Sequence, residues 1–450
     1  MASEWPEVAL EEIADELTVG FVGPMATEYV SEGIPFLRSQ NVESLRVKTS
    51  DIKYISLAFH ERIRKSALQP GDVVIVRTGK PGACAVIPSS LPVANCSDLV
   101  IVRCGERLLP EFLAYFVNSA ATHHISSHLV GAVQQHFNVG AARRILIPLP
   151  TIPEQRNIVH ILGTLDDKIE LNRKTNETLE VMTRTLFKSW FVDFDPVRAK
   201  AEGRDPGLPA HLSDLFPDSF ENSPLGDIPK DWCVGVLDDL VAHVLGGDWG
   251  KDISSNENDV LVRCIRGADI PDLQKGGTGK MPCRYLKVSS AEKRRLNDGD
   301  LVIEISGGSP TQSTGRSVLI SDDLLQRVDA PIACSNFCRL LRLKSKSYAK
   351  FVYLWLLTLY ANDEFLQYEN GTTGIKNFAF SLFSSSYKLM VPPPPIVTAF
   401  EHLVDPLFSK QKANAAEADT LAALRDTLLP KLISGEIRLV HEGTLTGAAI

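Results

Sequence analysis

The residue types that most often carry chemistry are sparse and badly spaced for it in this chain. Its eight cysteines are Cys84, Cys96, Cys104, Cys233, Cys264, Cys283, Cys334 and Cys338. None forms a Cys-x-x-Cys pair, and the closest spacing, Cys334-x3-Cys338, has no second pair of ligands nearby. A zinc site needs four ligands at set spacings, so no metal is expected and the thiols read as buried and reduced. His123, His124, His128 and His136 cluster in sequence without a Cys or an acidic residue at ligand spacing, and read as exposed or core histidines. Gly79-Lys80-Pro81-Gly82 is too short for a phosphate loop and lacks a hydroxyl residue after the lysine. No Gly-x-Gly-x-x-Gly follows a strand. Glu304 has no lysine two residues on, as a nuclease would need, and no Asn/Asp-Pro-Pro-Tyr/Phe run for amino-directed methylation appears. Catalysis by this chain alone is not expected.

The elements that would hold a site come in duplicate. Leu149-Pro150-Thr151-Ile152-Pro153 aligns with Val391-Pro392-Pro393-Pro394-Pro395, and the same offset continues without a gap. It carries Leu165 onto Leu407, Asn172 onto Asn414, Met182 onto Leu424 and Trp190 onto Leu432. Upstream, Gln69-Pro70-Gly71-Asp72 and the apolar run to Val76 resemble Asn297-Asp298-Gly299-Asp300 and the run to Glu304. Gly131–Phe137 resembles Gly371–Asn377. Three matches in one order mark an internal repeat.

Each copy pairs a β-rich segment with a long helix. Short apolar runs such as Val73–Val76, Leu99–Val102 and Leu301–Ile305, bounded by Gly, Pro, Asn or Asp, predict strands. One helix per segment is predicted, near Glu111–Asn118 and Ala349–Leu359. From Glu154 to Phe191, Ile158, Leu162, Leu165, Ile169, Leu179, Met182, Leu186 and Trp190 step by three and four, which predicts an amphipathic helix. A second is predicted from about Thr398 to Ser434, closed by Gly435. Each would be roughly 55 Å long. Neither can bury its stripe alone, so the two are expected to pack antiparallel as a spacer rod. Asn172 and Asn414 fall on the stripe, where a polar residue fixes register. The fold class expected is α+β: two β-rich mixed domains separated by two long antiparallel coiled-coil helices, in a pseudo-twofold repeat. The expected divisions are 1–150, a spacer helix 151–192, a Pro/Gly/Asp-rich linker 193–231, 232–394, a second spacer helix 395–437 and a tail 438–450.

Composition narrows the class. The chain has 450 residues, 44% hydrophobic and 23% charged, which is ordinary for a soluble globular protein. The net charge is −8. Residues 1–150 carry −2 and residues 231–390 carry 0, so the acidity sits in the helices and linker. No run of about 18 apolar residues would span a membrane. The first ten residues lack a basic-then-apolar signal pattern, so a cytoplasmic location is expected.

Three segments carry a family resemblance: Pro148–Arg156, Trp190-Phe191-Val192-Asp193-Phe194-Asp195-Pro196-Val197-Arg198-Ala199-Lys200, and Leu424-Arg425-Asp426-Thr427-Leu428-Leu429-Pro430-Lys431-Leu432-Ile433-Ser434-Gly435-Glu436-Ile437. With the repeat, the chain resembles the specificity subunit of Type I restriction-modification systems along nearly its whole length. In the second Pro-rich copy Ile396 stands for the expected Glu, and Thr398-Ala399 for the expected Gln-Arg. The resemblance implies two target recognition domains, each reading one half of a split DNA sequence, with the helices setting the spacing. Two methylation (M) subunits would dock on the helices, and restriction-translocase (R) subunits would join them. No cofactor would be bound by this chain; S-adenosylmethionine, ATP and Mg would sit on the partners. A rod of this length suits half-sites about one and a half turns apart.

The polar residues of the repeated glycine turns are then the candidate DNA contacts. In the first copy they are Arg38, Ser39, Gln40, Asn41, Arg77, Thr78, Lys80, Gln134 and Gln135; in the second, Arg266, Ser306, Ser309, Gln312, Lys376 and Asn377. Arg can bridge guanine O6 and N7, and Gln or Asn adenine N6 and N7. A fused methyltransferase-nuclease and a coiled-coil adaptor without a nucleic-acid role are the competing readings.

Overall fold

The computed structural model describes residues 5–79, 81–120, 137–307, 312–371 and 376–438. It divides into two compact units. Unit 1 comprises Met1–Lys168 with Thr420–Ile450, and unit 2 comprises Ile169–Asp419. Both boundaries fall inside the long helices, which run Ile152–Phe191 and Pro394–Ile433.

The first helix begins at a Thr-x-x-Glu signal. Thr151 N and Oγ1 donate to Glu154 Oε2 at 2.8 and 2.7 Å, which satisfies one of the amides that a helix start leaves unpaired. The second begins at Pro394, four residues before the predicted Thr398, because a proline at the first turn needs no amide partner. Gly435, at φ +75°, follows its last turn.

Within unit 1 the sheet order is Cys84–Val86, Val73–Val76, Leu99–Cys104, Ala14–Val19, all antiparallel. Unit 2 repeats it as Ser317–Leu319, Leu301–Glu304, Cys338–Leu343, Val241–Gly246. Each unit also has a second sheet containing one parallel pair: Ile34–Leu37 with Ala94–Cys96, and Val260–Ile265 with Ile332–Cys334. Helices Pro110–Ser119 and Ala349–Ala361 pack on the four-stranded antiparallel sheets. The mixed, mostly antiparallel reading therefore holds in both units.

The repeated Gly-Asp turn is a structural device. Gly71 and Gly299 sit at φ +92° and +90°, a region open to glycine but strained for other residues. The aspartate that follows caps the turn: Gln69 N donates to Asp72 at 2.9 Å and Asn297 N to Asp300 at 2.7 Å. An arginine from the neighbouring strand faces each carboxylate, Arg103 at 3.4 Å from Asp72 and Arg342 at 2.6 Å from Asp300. The third repeat match is shifted by one residue from the sequence alignment. Phe137 N donates to Arg77 O at 3.1 Å and Phe378 N to Ile305 O at 2.9 Å, so Phe137 corresponds to Phe378.

Each core is closed by the start of one long helix and the end of the other. Unit 1 buries Ile158 and Leu162 with Leu429, Leu432 and Ile433. Unit 2 buries Ile396, Val397, Phe400 and Val404 with Phe187, Trp190 and Phe191. Trp190 packs edge-on against Phe216 at 4.9 Å, as does Phe191 against Phe400 at 4.9 Å. The gapless offset places Val397 opposite Gln155, which corrects the alignment of Thr398 with that glutamine. Gln155 is fully buried and bonds Leu109 N, Arg107 O and Pro150 O, whereas Val397 packs in an apolar core.

Several other expectations are corrected. Met182 and Leu424 are each 46% exposed, off the packed stripe; Thr183 and the two asparagines lie on the buried face instead. Residues 193–231 are more than a loop. They form helices Asp195–Ala201 and Ala210–Ser213 and a hairpin of Phe220–Ser223 with Gly226–Pro229, and they bury Phe194, Val197, Phe216 and Ile228. Cys233 and Cys283 are exposed and Cys104 half-buried, while the other five cysteines are buried. Burial pushes the Cys264 and Cys338 thiols up to about 12, which keeps them unreactive at neutral pH. Among the described residues no helix is long and apolar enough to cross a membrane, and no group of three or more His, Cys, Asp or Glu could hold a metal ion. The clustered histidines lie outside the described residues.

Candidate nucleic-acid interface

In each unit the parallel strand pair ends side by side and sends out two loops. Ser97 N donates to Leu37 O at 2.9 Å, and Ser335 N to Ile265 O at 2.9 Å. The residue leaving the first strand is Arg38 in unit 1 and Arg266 in unit 2. Both arginines are held by the side chain three residues on. Arg38 N donates to Asn41 Oδ1 at 3.1 Å, and Arg266 N to Asp269 Oδ2 at 2.9 Å. This Arg-x-x-Asn/Asp turn is an element of the repeat that sequence alignment missed, because only its first and last residues are alike.

The unit 1 candidates fall into two groups. Arg38 Nη2 and Gln40 Nε2 both donate to Asp51 Oδ2, at 3.2 and 2.8 Å. Ser39 is half-buried beside them. Asn41 is 1% exposed, and its amide donates to Lys48 O at 3.3 Å. A side chain so enclosed shapes the turn and cannot reach a base, so Asn41 leaves the contact set. In the second group Arg77 donates to Asp98 Oδ1 at 2.6 Å and to Phe137 O at 3.0 Å, and Thr78 Oγ1 donates to Asp98 Oδ2 at 3.2 Å. Lys80, Gln134 and Gln135 lie outside the described residues.

In unit 2, Ser306–Gly307 pairs with Lys376–Phe378, which also pairs with Glu369–Asn370. That small sheet brings Ser306, Lys376 and Asn377 together. Ser306 Oγ donates to Asn377 Oδ1 at 2.7 Å, and Lys376 Nζ lies 3.0 Å from Glu369 Oε2. Gln312 is exposed, and Ser309 lies outside the described residues. Arg266 forms a two-pronged pair with Asp269, Nε and Nη2 each at 3.0 Å.

The described candidate cations Arg38, Arg77, Arg266 and Lys376 each face a carboxylate of their own unit, which offsets their charge. Burial alone pushes the Asp269 carboxyl up, but its bonds from Arg266 and from the Lys280 amide outweigh that and hold it below its ordinary value. Glu369 behaves alike: burial raises it, and the Thr314 amide and hydroxyl with Lys376 bring it below the usual range. Such a surface offers oriented hydrogen-bonding groups more than bulk positive charge, which suits base edges better than phosphates.

Two features lie outside the predicted contact set. Phe337 is 50% exposed, and its carbonyl accepts from Ile305 N at 2.8 Å and Ser306 N at 3.3 Å, which ties it to the start of the Ser306 loop. The signal for it was the one extra residue in Ser335-Asn336-Phe337-Cys338 against Ser97-Asp98-Leu99. The second is Glu304, a charge ending an apolar strand where the first copy has Val76. It is 2% exposed and paired with Arg316.

Asn172 and Asn414 are 3% and 2% exposed. They do not bond each other. Asn172 Nδ2 donates to Glu417 Oε2 at 2.8 Å, and Asn414 Nδ2 to Asn176 Oδ1 at 2.9 Å. The offset of the repeat puts Ala418 at the counterpart of Asn176, which has no side-chain acceptor, so Asn172 turns to the neighbouring Glu417. Within unit 2 these pairs run the two helix segments antiparallel.

Comparison with known proteins gives a consistent picture. The family model described as "Type I restriction modification DNA specificity domain" matches residues 2–181. The Type I restriction enzyme HindI specificity subunit of Haemophilus influenzae is 26% identical, with 83% of this chain and 88% of that protein covered. The MjaIX specificity subunit of Methanocaldococcus jannaschii is 23% identical, covering 97% and 94%. The crystal structure of the Type I restriction-modification S subunit from M. genitalium shares the fold, with a TM-score of 0.58 at 14% identity and 96% of each chain covered.

Proposed function

From the premise that this chain is a Type I restriction-modification specificity subunit, a protein of DNA sequence recognition, we propose that each unit reads one half of a bipartite, asymmetric duplex site. The observation that carries this reading is the shared scaffold with unlike tips. Both units present an arginine after a parallel strand pair beside a glycine turn. In unit 1 the turn carries Arg77 and Thr78 over Asp98; in unit 2 it carries Ser306 against Asn377. A common frame with different hydrogen-bonding groups is what two unlike half-sites require.

The readers in this proposal are Arg38, Ser39, Gln40, Arg77 and Thr78 for one half, and Arg266, Ser306, Gln312, Lys376 and Asn377 for the other. Each helix has 40 residues, about 60 Å at 1.5 Å per residue, and the pair sets the distance between the halves. Asn172 and Asn414 fix its register. Two methylation subunits dock on the helices and bring S-adenosylmethionine, and restriction-translocase subunits bring ATP and Mg. The chain acts in the cytoplasm and catalyses nothing alone. Gel shift and methyl-transfer assays test this together. The chain with its methylation subunits shifts duplex DNA and methylates it, while the purified chain transfers no methyl group. Methyl transfer by the chain alone, or no shift by the complex, contradicts the reading.

A further inference from the structure

Beneath the unit 2 candidates lies a buried ion pair. Glu304 closes the strand Leu301–Glu304, and its amide donates to Arg316 O at 2.8 Å. Arg316 Nε donates to Glu304 Oε2 at 2.8 Å and Nη2 to Oε1 at 2.5 Å. The side chains are 2% and 14% exposed. The carboxylate fills the space under two glycines. A Cβ on Gly267 would stand 2.1 Å from Glu304 Oε1, and one on Gly307 would stand 2.7 Å from it. Gly267 follows Arg266, and Gly307, at φ +148°, follows Ser306. One carboxylate thus braces both turns that carry candidate readers.

The fold does not demand a charge there. In unit 1 the same strand position is Val76, buried at 1% exposure. A buried ion pair is often no more stabilising than apolar residues of the same volume, because both charges lose their water. What it adds is direction: two parallel hydrogen bonds fix the carboxylate plane, and the carboxylate fixes how closely both turns approach it.

We propose that Glu304 and Arg316 are positioning residues that hold the Arg266 and Ser306 turns in the arrangement that reads the second half-site. This rests on the recognition reading above. The test selects bound duplexes from a pool of randomised DNA, using the full chain assembled with its methylation subunits. The wild-type chain is expected to enrich two separated blocks. The apolar double variant E304L/R316M keeps one block, and its preference in the other falls about tenfold. Glu304→Gln, nearly isosteric, gives a smaller loss in that same block and keeps the test decisive if the double variant melts early. A merely structural role would melt unit 2 early and lower its preference only in step with the folded fraction, so thermal melts of each variant accompany the selection. That result, or unchanged preference in both variants, overturns the proposal. A wild-type chain that enriches no block overturns the recognition reading itself, and needs no variant to show it.

Discussion

Arg77 and Arg266 each spend their guanidinium on a carboxylate of their own unit, Asp98 and Asp269. Reading DNA with such a group means turning its remaining donors outward or releasing the partner. Arg77→Ala is expected to weaken binding to the half-site read by unit 1 by about 1–3 kcal/mol. Anisotropy with duplexes altered in one half at a time measures this. Unchanged affinity and unchanged preference would remove Arg77 from the readers. Asp269 also predicts a pH effect. Its carboxyl is held below its ordinary value in the folded chain, so its contribution to stability is complete above about pH 4 and is lost as pH falls through the lowered value. Thermal melts of wild type and Asp269→Asn should differ at neutral pH and converge in acid; a constant difference would mean that ionised Asp269 does not support the fold. At this scale the sequence was only partly legible. Polar residues in glycine turns stand out in the sequence but burial does not, so the pattern groups the buried Asn41 with exposed neighbours and does not point to Phe337.

The long helices were the most legible elements, since a stripe at three- and four-residue steps needs no tertiary knowledge. Their ends and faces were less so. Pro394 starts its helix earlier than the apolar pattern suggested, and Met182 and Leu424 point to solvent where the pattern placed them inside. The strands were legible as short apolar runs. The parallel pairs were not, because the strands meeting there are far apart in sequence. The polar contacts on the helices give a prediction of their own. Asn414→Leu leaves Asn176 Oδ1 without its donor and should destabilise unit 2 by about 1 kcal/mol, whereas adding Asn176→Leu removes that orphaned acceptor, at the loss of its bond to Gln411 O, and should recover part of the stability. Melting temperatures of the full chain decide; a neutral single variant would show that the bond carries no weight.

For the whole molecule, duplication was visible in the sequence because both structural devices that build it recur in order: the Gly-Asp turn with its strand arginine, and the Pro-rich entry to a long helix. The structure adds that the two units share sheet order and parallel-pair geometry while their tips differ, and that each core takes the start of one helix and the end of the other. A duplicated frame with unlike tips predicts an unlike pair of half-sites. The most direct measurement is the methylome of cells carrying this chain with its methylation subunits. The predicted result is methylated adenine within one motif made of two different short blocks, separated by a gap of constant length. A continuous motif, or two identical inverted halves, would contradict the account.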